Sequence, residues 1–136
     1  MAKNGKKVAE SGLTRAKEKL EVAGKLFADG FYDDAVSRAY YAVFHAAGAA
    51  LFLEGYEAKT HAGLINLFGL VMVKGGKVDK KFGKILSDLK NDREDGDYGL
   101  ISMLDEEDAE KALKDAGQFV AEIERLVRSP RNNNKR

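Results

Sequence analysis

The sequence predicts an all-α fold, a five-helix up-and-down antiparallel bundle. Five segments repeat apolar residues at three- and four-residue spacing, no segment alternates convincingly as a strand does, and the one proline stands after the last segment.

The first helix is expected from about Leu13 to Ala28, where Leu13, Ala16, Leu20, Ala23 and Phe27 share a face and Gly30 ends the pattern. The second runs from about Asp33 to Glu54 and stops at Gly55. The third begins after Thr60, an N-cap residue type, and carries Leu64, Leu67, Phe68 and Val71 inward until "KGGK" breaks it. The fourth starts near Asp79 with Phe82, Ile85, Leu86 and Leu89. The fifth opens on "DEED", Asp105 to Asp108, whose negative charges suit a positive helix N-terminus. Its stripe is Ala109, Ala112, Leu113, Ala116, Val120, Ile123 and Val127, and Ser129-Pro130 ends it.

The stretch from Ala39 to Phe52 is apolar almost throughout, with His45 its one strongly polar side chain. At about 15 residues it is shorter than the roughly 20 a bilayer-spanning helix needs. Arg38 and Glu54 flank it closely. A helix apolar on all sides in a water-borne bundle is the central one, so this is expected as a core helix, with no membrane association. Ala47 and Gly48 are expected at close helix contacts.

With 136 residues the chain is read as one domain, over residues 11–128, between disordered basic tails at 1–10 and 129–136. The first tail has Lys3, Lys6 and Lys7 against Glu10; the second has Arg131, Lys135 and Arg136. With a formal charge of only +1 overall, the domain body is net negative and lacks the basic footprint of a duplex-binding module. There is no cysteine, which removes thiolate catalysis, zinc–thiolate sites and disulfides. That absence and the lack of an apolar leader fit a cytoplasmic protein.

Two polar intrusions on the apolar pattern single out candidate site residues. On the second helix, Asp34, Arg38, Tyr41 and His45 fall on one face, either as a structural network or as the wall of a site. At the end of the fourth helix, in "LKNDREDGDYG", Arg93 lies four residues past Leu89 and continues the buried stripe. Asp97 follows one turn later, in reach of it, and Tyr98 comes next, so an inward Arg–Asp–Tyr group is expected. Neither His45 nor His61 has a glutamate three residues before it, so a carboxylate-bridged metal site is not expected, and no cofactor is. Serine triads and phosphate-cradling glycine loops are absent too.

"AVSRAYYAVFHAAGAALFLEG", "KTHAGLINLFG" and "LKNDREDGDYG", in this order, resemble the HEPN domain, specifically its small stand-alone branch. The shared features are a Tyr-Tyr-Ala helix with a histidine, a Thr-His-x-Gly helix start and an Arg-x-x-x-Asp-Tyr end of the fourth helix. The resemblance covers about residues 13–128. It implies a HEPN-like bundle, usually a homodimer with the motif helices facing each other, and a minimal nucleotidyltransferase as partner in a toxin–antitoxin-like pair.

Some members of that family are metal-independent ribonucleases marked by an arginine followed after four to six residues by a histidine. Arg93 matches the arginine, but Tyr98 stands where the nearest such histidine would be. A phenol with a pKa near 10 is a poor general base at neutral pH. The first expectation is therefore a binding and regulatory module with a nucleotide or phosphate site around Arg93, lined by Asp97, Tyr98, Tyr41, His45, His61 and Arg38. The alternative is a ribonuclease toxin with a composite site at the dimer interface, Arg93 and His45 being the catalytic candidates and RNA the target. In several family pairs the nucleotidyltransferase modifies a tyrosine near this motif, and Tyr98 holds that place.

Overall fold

The computed structural model describes the backbone of residues 2–98 and 104–129 and the side chains of residues 5–94 and 104–129. Among these residues there are five α-helices and no strand: α1 (Ala2–Ala28), α2 (Tyr32–Leu53), α3 (His61–Leu67), α4 (Lys80–Tyr98) and α5 (Glu106–Arg128). A π-helical segment, Phe68–Val73, continues α3. The predicted all-α bundle is the observed one.

The ends of the elements follow from local chemistry. Gly30 and Gly55 adopt φ of +85° and +93°, a left-handed conformation that a side chain would strain. Each closes its helix with the same pair of bonds: Phe31 N–H donates to Leu26 O and Gly30 N–H to Phe27 O after α1, while Tyr56 N–H donates to Leu51 O and Gly55 N–H to Phe52 O after α2. The start of α5 is a reciprocal cap, in which Asp108 N–H donates to the Asp105 carboxylate at 2.8 Å and Asp105 N–H to the Asp108 carboxylate at 3.1 Å.

Helix α2 is the centre of the bundle, packed against α1, α4, α5 and the α3–π segment. Ala35, Val36, Ala39, Tyr40, Ala42, Val43, Ala46 and Ala47 are all wholly buried. Burying side chains of Val or Leu size stabilises by about 1.5–3 kcal/mol each, and the alanines between them let neighbouring backbones come close. On α1 the facing seam is Ala9, Ala16 and Ala23, seven residues apart and wholly buried. On the far side Phe119 of α5 meets Phe68 and Phe82, with ring centroids 5.3 and 6.0 Å away. No described helix is long and apolar enough to cross a membrane.

Two expectations are corrected. Residues 2–10 are helical and extend α1, with Ala9 wholly buried, because the alanine seam continues the stripe one turn earlier than Leu13. Of the expected tail at 129–136, Ser129 is described, as the extended cap of α5, and residues 130–136 lie outside the described residues. The tightest glycine contact between two helices is not at Gly48, which is partly exposed and whose added Cβ would meet Leu64 at an ordinary 3.7 Å. It lies at Gly12, whose Cβ would stand 3.1 Å from that of Ala49 and 3.5 Å from the His45 carbonyl oxygen.

Candidate functional site

The start of α3 explains why threonine, histidine and glycine occur together in "THAG". Thr60 is extended and its hydroxyl accepts a hydrogen bond from Gly63 N–H at 2.9 Å, which caps the helix. A Cβ on Gly63 would lie 2.9 Å from that same hydroxyl oxygen, so the cap requires glycine there. His61 is thereby fixed as the first residue of α3, turned toward α2.

On α2 it meets a set of rings. The His61 ring stacks on Phe44 (centroids 4.2 Å apart, planes at 20°) and stands edge-on to Tyr41 (6.1 Å, 88°). Its Nδ1 lies 2.7 Å from the hydroxyl of Tyr40, a residue with no exposed surface. Helix α4 brings the charge: the Arg93 guanidinium sits over the Tyr41 ring at 5.2 Å and the Tyr40 ring at 5.7 Å. Such cation–π contacts contribute about 0.5–2 kcal/mol each, according to exposure. Lys90, one turn earlier, pairs with Glu94 at 3.0 Å.

The electrostatics follow from burial and from these cations. Burial pushes the Tyr40 phenol up to about 12, with Arg93 opposing and Tyr41 and Glu94 adding to the rise. His61 is lowered below its ordinary 6.5 by burial, then by Arg93 and Lys90. At neutral pH the cluster therefore holds a permanent cation, a neutral imidazole and a protonated phenol. The guanidinium and the imidazole offer hydrogen-bond donors to an anion. Among the described residues no cluster of His, Asp or Glu is arranged to hold a metal ion.

Of the residues singled out in the sequence, Arg93, Tyr41 and His61 come together. His45 lies at the border of the group. Its ring stands edge-on to Phe44 (5.7 Å, 76°), while burial and then Lys19 and Arg15 of α1 lower its pKa. The two histidines thus touch different parts of the Phe44 ring, His61 its face and His45 its edge. Arg38 and Asp34 are solvent-exposed, so the four-residue row on α2 divides into an exposed start and a half-buried continuation. Asp97 and Tyr98 complete the backbone of α4, and their side chains lie outside the described residues. Tyr40 and Phe44 were not singled out. The available signal was Tyr40 itself, a tyrosine inside a run of buried alanines whose hydroxyl needs a partner.

A helical bundle with an Arg–His–Tyr cluster between its second, third and fourth helices defines the class. The HEPN domain model matches residues 9–126, and the chain belongs to the HEPN family. Relatives are similar along most of their length. "Putative toxin MJ0605" of Methanocaldococcus jannaschii is 39% identical over 113 residues, 83% of this chain and 84% of its own. A UPF0332 protein of Thermotoga maritima is 34% identical over 121 residues (89% and 92%), and one of Archaeoglobus fulgidus 37% over 122 (90% and 97%).

Proposed function

We propose that this HEPN domain is a binding and regulatory module acting with a minimal nucleotidyltransferase in a toxin–antitoxin-like pair, and that its nucleotide or phosphate site lies around Arg93. The observation that carries this reading is the placement of the Arg93 guanidinium over Tyr41 and Tyr40, with His61 against the same rings. A guanidinium fork holds two phosphate oxygens at once, and half-buried aromatic rings such as Tyr41 and Phe44 give a base a surface to stack on. The name of the Methanocaldococcus relative, "Putative toxin MJ0605", supports the toxin half of the reading. Asp97 and Tyr98 enter it from the sequence alone, as do Arg38 and His45 as outer contacts. In this reading the protein works as a cytoplasmic homodimer, the half-buried row Tyr41, Phe44 and His45 of α2 being covered by a second copy.

Calorimetric titration of the purified chain with adenine nucleotides, and co-purification with a minimal nucleotidyltransferase encoded beside it, test the proposal. Binding that Arg93→Ala weakens is expected, and its absence for both nucleotide and partner would sink the idea. Light scattering of the purified protein tests the dimer.

A ribonuclease is the second reading, favoured by one observation: a histidine reaches the neighbourhood of Arg93 from α3, although none follows it on α4. Metal-free cleavage of single-stranded RNA, lost in both Arg93→Ala and His61→Ala, would put this reading first. Loss in His45→Ala instead would move the site to the α1 side of Phe44.

A further inference from the structure

Tyr40 and His61 are joined by a bond whose direction can be worked out. The phenol is wholly buried and, among the described residues, Nδ1 of His61 at 2.7 Å is its hydrogen-bond partner. A hydroxyl carries one proton to donate, and a buried donor without an acceptor is costly. If Nδ1 carried the imidazole proton, the Tyr40 proton would have nowhere to go. Tyr40 therefore donates, Nδ1 accepts, and the proton of the neutral ring resides on Nε2. The ring is also fixed in orientation, stacked on Phe44 and edge-on to Tyr41.

We propose that Tyr40 is a positioning residue that locks His61 as its Nε2–H tautomer, so that His61 presents a neutral N–H donor beside the Arg93 guanidinium and the two together hold a phosphate group. This rests on the anion site proposed above and adds to it a second donor and the residue that sets its direction. The groups facing His61 are Arg93 and Lys90 on α4, the latter paired with Glu94, and Tyr40 and Tyr41 on α2. A third cation beside Arg93 and Lys90 would be repelled. A neutral donor is not, and it adds one hydrogen bond to those a guanidinium can donate.

Long-range proton–nitrogen NMR of the full chain near neutral pH reads the tautomer, and titration with inorganic phosphate reads the site. The parent should show a protonated Nε2 and a bare Nδ1, with the Nε2–H resonance moving as phosphate is added. Tyr40→Phe should give a mixture of tautomers and weaken phosphate binding in proportion to the Nε2–H fraction lost, about twofold for an even mixture. His61→Gln places an amide N–H near the Nε2 position and should bind within a factor of about three of the parent, whereas His61→Ala should lose about tenfold. If Tyr40→Phe does not fold, the two His61 variants decide the matter, since His61 is not part of the buried core. An Nδ1–H tautomer in the parent, or parent-like phosphate binding by His61→Ala, overturns the proposal. Failure of the anion site has its own signature: Arg93→Ala binds phosphate as the parent does, or the parent binds none while its Nε2 is protonated. That result removes the phosphate role of both residues and leaves the tautomer lock standing.

Discussion

Gly12 of α1 faces Ala49 of α2 so closely that a Cβ on the glycine would stand 3.1 Å from the alanine Cβ. The contact continues the seam of Ala9, Ala16 and Ala23, and it sets how near the two longest-packed helices approach. Gly12→Leu should overpack this seam and destabilise the fold by about 1–3 kcal/mol. Gly48→Ala, by contrast, meets only Leu64 at 3.7 Å and should gain stability, by up to about 1 kcal/mol, from better helix propensity. Chemical denaturation of the two variants checks the contrast; equal destabilisation would mean that α1 does not pack on α2 at Gly12.

The Thr60 cap and Gly63 act as one device. Gly63→Ala puts a methyl 2.9 Å from the Thr60 hydroxyl oxygen, closer than the cap tolerates, and should cost about 1 kcal/mol through loss of the cap. It should also displace His61. The NMR signals of His61 and Tyr40 should therefore move in this variant, while those of the α1–α5 side of the bundle stay in place.

Arg93→Ala should leave the bundle folded, since the side chain contributes cation–π contacts of about 0.5–2 kcal/mol and no buried apolar surface of the core. Nucleotide or phosphate affinity should fall by about 10- to 100-fold, as expected for loss of a charged hydrogen-bonding partner. Thermal melts beside calorimetric titration separate the two effects. A collapsed fold with no change in affinity per folded molecule would make Arg93 a structural residue.

Stability should fall on both sides of neutrality. Burial, followed by Lys19 and Arg15 at His45 and by Arg93 and Lys90 at His61, lowers both histidines below 6.5 in the folded chain. As pH falls through about 6.5 the unfolded chain takes up protons first. The unfolded state is thereby favoured, and the loss continues until the folded histidines titrate. Above that pH both are neutral in either state and contribute no slope. Tyr40 acts at the alkaline end: its folded value of about 12 exceeds the ordinary 10, so the unfolded chain loses its proton first and stability falls as pH rises from about 10 toward 12. Melting temperature against pH should show both slopes. His45→Gln with His61→Gln should flatten the acid one, and Tyr40→Phe the alkaline one.

The elements were legible in the sequence wherever a local rule governs them. Gly30 and Gly55 stop helices because only residues immediately before them need to be satisfied; Thr60 and Asp105 start helices for the same reason. The all-apolar stretch from Ala39 to Phe52 could be placed at the centre because no other position hides every face of a helix. Arg93 could be placed on an inward stripe by its four-residue spacing from Leu89, and His61 at a helix start by its threonine. The extent of α1 was missed because Lys3, Lys6 and Lys7 hide a seam made only of alanine, whose weak hydropathy does not announce a buried face.

What the tertiary structure alone decided is which of these local features meet. Helical periodicity gives the face a residue occupies, but the rotation and axial offset of one helix against another are set by how side chains pack between them. That packing brought His61 to Tyr40, 21 residues earlier, and laid Arg93 over the rings of Tyr40 and Tyr41. It also turned His45, on the same helix face as Tyr41 by count, toward the cations of α1. The sequence determined that this chain makes a HEPN-like bundle with an arginine and two histidines near its centre helix. Only the packed structure determined which histidine stands with the arginine, because that choice depends on contacts between helices that no single helix encodes.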